Sequence, residues 1–156
     1  MIAIQNDFDK AVVIIQLVAV ERIKQGHKPG VTWTVDGTTP EQLLTRHPDK
    51  SEYFTVTVDG CIIGAFILTK RKTNAKWNMG IGFRYLAKLC ILNEHRGFGY
   101  ADKILDIIKS ICKSGIRLEV RKQGQEGLER LYFRNGFVIK DASKDMHLFE
   151  WRRTPS

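Results

Sequence analysis

Cysteine is scarce: three residues, Cys61, Cys90 and Cys112, stand far apart in a chain of 156. An odd count at such spacing speaks against a disulfide framework and gives no metal-ligand pattern. Cys61 and Cys90 sit in strand-like runs and Cys112 on an apolar helix face. All three are expected as buried, reduced thiols, which favours the cytoplasm. Long hydrophobic runs are missing as well. The longest, residues 11–20, is interrupted by Gln16 and is too short to span a bilayer. Asp7 and Asp9 precede it, and Glu21-Arg22 follows without a small-residue cleavage site, so it does not fit a secretory signal. It reads as a buried amphipathic helix. Repeats and low-complexity segments are also absent.

What is present is an ordinary globular composition, 43% apolar and 27% charged. The length suits a single domain over residues 1–156 with a real core. The net charge is +8. A site for a polyanionic ligand on a solvated basic surface accounts for it, and so does a nucleic-acid partner. The basic residues are scattered apart from Lys70-Arg71-Lys72 and Arg152-Arg153, so the first reading is preferred.

Taken in order, residues 1–4 suggest an edge strand. Asp7 or Asn6 caps a helix running to about Lys24, with Gly26 closing it. Its apolar stripe (Ala11, Ile14, Ile15, Val18, Ala19, Arg22, Ile23) is widened by Val12, Val13, Leu17 and Val20, which suggests packing on more than one side. Residues 26–37 are loop-like, and Trp33 there is read as a lid on the core rather than as part of a pocket. Thr39-Pro40-Glu41-Gln42 opens a short helix through Arg46. Two strands follow, 53–58 and 61–69, joined by Asp59-Gly60, a strong hairpin turn. Residues 70–82 read as a polar connection, 85–92 as the fourth strand, 116–121 as the fifth. A helix spans 125–134, and 137–140 and 146–151 form a last hairpin around residues 141–144. Antiparallel strands, a crossover helix and more strands give a mixed α/β sheet.

The centre of this order is Leu89-Cys90-Ile91-Leu92-Asn93-Glu94-His95-Arg96-Gly97-Phe98-Gly99-Tyr100-Ala101. An apolar strand turns through two glycines into a helix whose apolar face carries Ala101, Ile104, Leu105, Ile108, Ile111 and Cys112. The first N–H groups of a helix lack internal partners and carry partial positive charge. Gly97 and Gly99 let a phosphate approach the backbone, and Arg96 adds a forked cation. Strand, glycine turn and helix together make an anion site.

Arg96-Gly97-Phe98-Gly99-Tyr100-Ala101 resembles the acyl-CoA-binding signature of the GNAT acetyltransferase superfamily, Q/R-x-x-G-x-G/A. Leu131-Tyr132-Phe133-Arg134-Asn135-Gly136-Phe137 resembles the closing L-Y-x-x-x-G-F of that family. The hairpin with its D-G turn and the following Ile62-Ile63-Gly64 is similar to the family's second and third strands. The likeness runs from Cys61 to Phe149. It implies the GNAT acyl-CoA N-acyltransferase fold, an α/β (α+β) architecture with a mostly antiparallel mixed sheet of six to seven strands and about four helices. It implies acetyl-CoA as donor, no metal, and direct transfer to a primary amine.

The resemblance assigns pantetheine pairing to the main chain of Leu89, Cys90 and Ile91. The pyrophosphate goes to Arg96, Gly97, Phe98, Gly99, Tyr100 and Ala101. Tyr132 takes the place of the acid that protonates the leaving thiolate, whereas without the family match it reads as a packing aromatic beside Leu128 and Leu131. Many members have asparagine seven residues before that tyrosine; Gln125 stands there in this chain. Glu119, Glu94 and His95 are candidate bases, each also readable as a surface group. Residues 25–46 and 70–84 would build the acceptor pocket. Neither holds an acidic cluster, which disfavours a polycationic acceptor. The alternatives are a non-catalytic CoA-binding or nucleic-acid-associated regulatory module, and a tRNA-directed acetyltransferase using the two basic clusters. A homodimer through sheet edges is admitted on analogy alone.

Overall fold

A computed structural model of the chain describes residues 1–26, 36–70, 82–122 and 124–154. In order come β1 (Ile2–Asn6), α1 (Phe8–Lys24), α2 (Pro40–Arg46), β2 (Tyr53–Val58), β3 (Cys61–Thr69), β4 (Phe83–Ile91), α3 (Tyr100–Ile111), β5 (Gly115–Arg121), α4 (Glu126–Arg134), β6 (Val138–Ala142) and β7 (Met146–Arg152). The strands form one seven-stranded sheet in the order β1-β2-β3-β4-β5-β7-β6. β4 and β5 pair in parallel, Phe83–Tyr85 against Gly115–Arg117. β1–β2, β2–β3, β5–β7 and β6–β7 pair antiparallel. The mixed sheet and four helices expected from the sequence are present. Trp33 and most of the polar connection, residues 71–81, lie outside the described residues.

The chain packs as two compact units, Met1–Thr69 with Lys88–Tyr100, and Lys70–Ala87 with Ala101–Ser156. In the first, Asp7 caps α1 by accepting from the Lys10 N–H at 3.1 Å. α1 lies on β2 and β3 and buries Ala11, Val12, Ile14, Ile15, Val18 and Ala19. Val13 and Leu17 are 53% and 48% exposed, so α1 does not pack on two sides as its broad stripe suggested. Thr39 Oγ1 caps α2 through the Gln42 N–H, with Pro40 in the first turn. Asp59 and Gly60 both take positive φ, 51° and 83°, the backbone a tight hairpin turn needs. Cys61, at the head of β3, is exposed rather than buried.

Gly64 in β3 lies close against the backbone of β4. A Cβ there would run into the Cys90 carbonyl oxygen, a backbone atom that no rotamer change can move. Gly64→Ala is expected to destabilise the fold by about 1–3 kcal/mol, the usual result of overpacking, and chemical denaturation measures it. An unchanged midpoint would mean that β4 yields easily at this point.

In the second unit, α3 buries Ile104, Leu105 and Ile108, and Cys112 just beyond it is also buried. Ile111, placed on the same face by periodicity, is 44% exposed because the helix ends there. Asp102 on α3 receives both Nε and Nη2 of Arg134 at 2.9 Å and the Asn135 amide at 2.8 Å. These bonds, Arg134 first, hold its carboxyl down at about 2 and fasten α3 to the end of α4. β6 extends through Ala142, so the last turn is residues 143–145, not 141–144.

Candidate active site

The first unit carries the strand-turn-helix stretch. In β4 Phe83, Leu86 and Cys90 are buried, and Lys88, between Leu86 and Cys90, has φ of +57°, a left-handed value rare for a side chain with a Cβ. This left-handed residue stands just before Leu89, Cys90 and Ile91. Leu89 and Ile91 are half-buried and Cys90 is buried. The Cys90 thiol points at the Ala65 carbonyl, 3.7 Å away, and burial pushes it up to about 12. It is a packed, un-ionised group, as the sequence suggested.

After β4 a single 3-10 turn, Asn93–His95, leads into the glycine turn. Gly97 and Gly99 have φ of +86° and +78°. A Cβ built on either meets nothing within 4 Å. The glycines therefore serve backbone conformation, and the space above the turn is open. Phe98 between them is 65% exposed. Its ring lies 6.0 Å from that of Tyr100, the first residue of α3.

Arg96 is tied back to its own unit. Nε donates to the Ile91 carbonyl at 2.9 Å, Nη1 reaches Asn93 Oδ1 at 3.5 Å, and Nη2 lies 3.6 Å from Glu21 Oε2 near the end of α1. The Asn93 N–H also donates to Glu21, and Gln25 Nε2 to Asn93 Oδ1. The C-terminal end of α1 is thus bonded to the turn that follows β4.

Ala101, Tyr132 and Gln125 belong to the second unit. Tyr132 is 4% exposed, its ring 5.3 Å from Phe137 and 5.9 Å from Phe149. It is packed on its helix face, as the reading from the residues alone has it. Burial, with the Tyr85 phenol adding, raises its pKa above the ordinary tyrosine value. The group therefore stays protonated at physiological pH, able to give a proton and unsuited to take one. Gln125 stands at the N-cap of α4, half-buried, without a side-chain capping bond.

Among the candidate bases, Glu119 on β5 is half-buried and accepts from the Tyr85 hydroxyl at 3.0 Å. Glu94 is exposed and His95 half-buried on the 3-10 turn. Arg152 of the C-terminal basic pair lies 3.0 Å from the buried Glu150. Arg153 donates to the Cys112 and Lys109 carbonyls. That pair thus has internal partners. Of the other cluster, Arg71 and Lys72 lie outside the described residues.

Sequence reasoning missed a group of cations in the first unit. Lys88 on β4 lies within electrostatic range of Arg46, in the last turn of α2, and of Arg22, in the last turn of α1. Burial first, then Arg46 and Arg22, brings the Lys88 ammonium down to about 7. Arg22 is also lowered, by burial and then by Arg96. The one available signal was Arg22 itself, a charge standing in phase with the apolar stripe of α1.

The profile of the Acetyltransferase (GNAT) family matches residues 19–137. The chain belongs to this acetyltransferase family. No curated protein matches it. Among solved structures it is similar to the PaiA N-acetyltransferase of Thermoplasma acidophilum in complex with coenzyme A, at 18% identity and a TM-score of 0.68, covering 98% of this chain and 99% of that one. A GNAT-family acetyltransferase of Listeria monocytogenes 4b F2365 aligns at 17% identity and a TM-score of 0.69, over 97% of this chain and 95% of that one. Ard1 of Thermoplasma volcanium aligns at 16% identity and a TM-score of 0.63, over 99% of each. At these identities the structures bear on the fold, and all three share it. None of the described helices is long and apolar enough to cross a membrane.

Proposed function

We propose that this chain transfers an acetyl group from acetyl-CoA to a primary amine by direct attack. The observation that carries the reading is the open turn at Gly97 and Gly99, which heads α3 in a member of an acetyltransferase family. In this reading the pyrophosphate rests on N–H groups between Arg96 and Ala101, where the start of α3 favours negative charge. Pantetheine follows the main chain of Leu89, Cys90 and Ile91. The amine nitrogen attacks the thioester carbonyl, a backbone N–H near Cys90 or Ile91 steadies the oxyanion, and the C–S bond breaks. Before the attack the acceptor ammonium gives one proton to a base; as the C–S bond breaks the CoA sulfur takes a proton from the Tyr132 hydroxyl, which is restored by the proton that the newly acylated nitrogen sheds. Glu119, which accepts from the Tyr85 hydroxyl, is the base this reading favours. The raised Cys90 thiol is a poor nucleophile, which supports direct transfer over an acyl-cysteine intermediate.

Calorimetric titration with acetyl-CoA and CoA tests the donor half of this reading, and thiol release across a panel of amines tests the transfer. Micromolar binding together with release that depends on an amine is expected. Absence of binding would overturn the reading.

A further inference from the structure

The glycine turn carries an aromatic side chain out in water. Phe98 is 65% exposed, more than any other aromatic among the described residues. It stands between Gly97 and Gly99, whose φ values of +86° and +78° shape the turn. A Cβ on either glycine meets nothing within 4 Å, so there is room on both sides of the phenylalanine along the chain. The Tyr100 ring lies 6.0 Å from it at an interplanar angle of 37°. Tyr100 is half-buried and opens α3, which ties this second ring to a regular element of the first unit.

An aromatic ring left in water forgoes the burial that usually holds one. Single exposed apolar residues are ordinary on a protein surface, and Phe133 is another here. Phe98 differs in its position. It sits on the turn assigned to the donor pyrophosphate, and in CoA that pyrophosphate is joined through one ribose to a purine. A purine is flat and apolar on its faces. It stacks on an aromatic side chain without needing a matched set of hydrogen bonds. One ribose is also comparable in length to a phenylalanine side chain, so phosphate on the backbone and base on the ring are compatible.

We propose that the Phe98 ring, with Tyr100 behind it, is a shelf for the adenine of the donor. The turn then holds phosphate through its main chain and the base through a side chain. This rests on the acetyltransfer reading above. It names the class of donor: a free CoA thioester rather than the same thioester on the phosphopantetheine arm of a carrier protein, which brings pantetheine but no purine.

The test divides CoA at its pyrophosphate. Calorimetry measures CoA and 4′-phosphopantetheine on the wild type, Phe98→Ala and Phe98→Tyr. The ring is exposed, so thermal melts of both variants should match the wild type. Phe98→Ala is expected to weaken CoA binding by about 10–100-fold, the loss of one base stacked on an aromatic, and to leave 4′-phosphopantetheine nearly unchanged. Phe98→Tyr keeps an aromatic face and should stay within about 3-fold of the wild type for CoA. If 4′-phosphopantetheine binds too weakly to detect beside CoA, the affinity lies in the nucleotide half, and a CoA loss in Phe98→Ala that Phe98→Tyr restores supports the shelf. Unchanged CoA affinity in Phe98→Ala, or equal losses for the two ligands, overturns the proposal and leaves the donor reading standing. Size-exclusion chromatography covers a different occupant: a changed oligomeric state in Phe98→Ala with CoA affinity intact would give the ring to a second copy of the chain and overturn the shelf. Failure of the wild type to bind CoA removes both the shelf and the donor reading.

Discussion

Gly99→Asp is expected to lower CoA affinity by about 100-fold or more, with Gly99→Asn losing less than about 10-fold. The pair separates charge from conformation. Position 99 has φ +78° and open space around it, so any side chain fits but all except glycine are strained. Aspartate and asparagine tolerate the left-handed region to a similar degree and share a shape. They differ by one negative charge, placed where the pyrophosphate is assigned. A repulsion between unit charges ~5 Å apart at an effective dielectric of ~20 is about 3 kcal/mol, enough for the stated loss. Calorimetry with CoA reads the affinities, and thermal melts of both variants report the strain separately. Equal losses in the two variants would place the effect in backbone geometry and remove the pyrophosphate from this turn.

Tyr132→Phe is expected to reduce kcat by about 100-fold, the low end for general acid catalysis, with KM for acetyl-CoA little changed. The substitution keeps the ring, and so keeps its contacts with Phe137 and Phe149. Stability should change by less than about 1 kcal/mol, whereas Tyr132→Ala would open a cavity and cost about 3–5 kcal/mol. Steady-state kinetics and melts on the phenylalanine variant divide the two roles of this residue. An unaltered kcat would leave Tyr132 as a packing residue alone, with the thiolate protonated from elsewhere.

The parts of the fold legible in the sequence are those fixed by local chemistry. Asp59-Gly60 names its turn because few residues accept two successive positive φ values. Thr39-Pro40 and Asp7 mark helix starts through bonds their own side chains make. The glycine turn before α3 is legible for the same reason. Where tertiary context decides, the sequence misled. The extra valines and leucine of α1 widened its stripe, yet only one face meets the sheet, and Val13 and Leu17 stay exposed. Cys61 lies at a strand end, where alternation says little about burial. The bend at Lys88 carries no signature, since a lysine between Ala87 and Leu89 fits an ordinary strand. The cation group is the clearest case: its three members are remote in sequence, and only the packing of α1, α2 and β4 assembles them.

Arg96 is already engaged. It holds the Ile91 carbonyl and lies against Glu21, so its charge has a carboxylate neighbour before any donor arrives. If it serves the pyrophosphate, binding is an exchange, with phosphate oxygens taking the place of Glu21. Such an exchange gives up one ion pair to form another, so Arg96 contributes less net attraction than a bare guanidinium would. Added salt, which screens the carboxylate it leaves as well as the phosphate it gains, then has a muted effect on donor affinity. Under that assignment the end of the helix that also carries Arg22 would damp the response of donor binding to ionic strength.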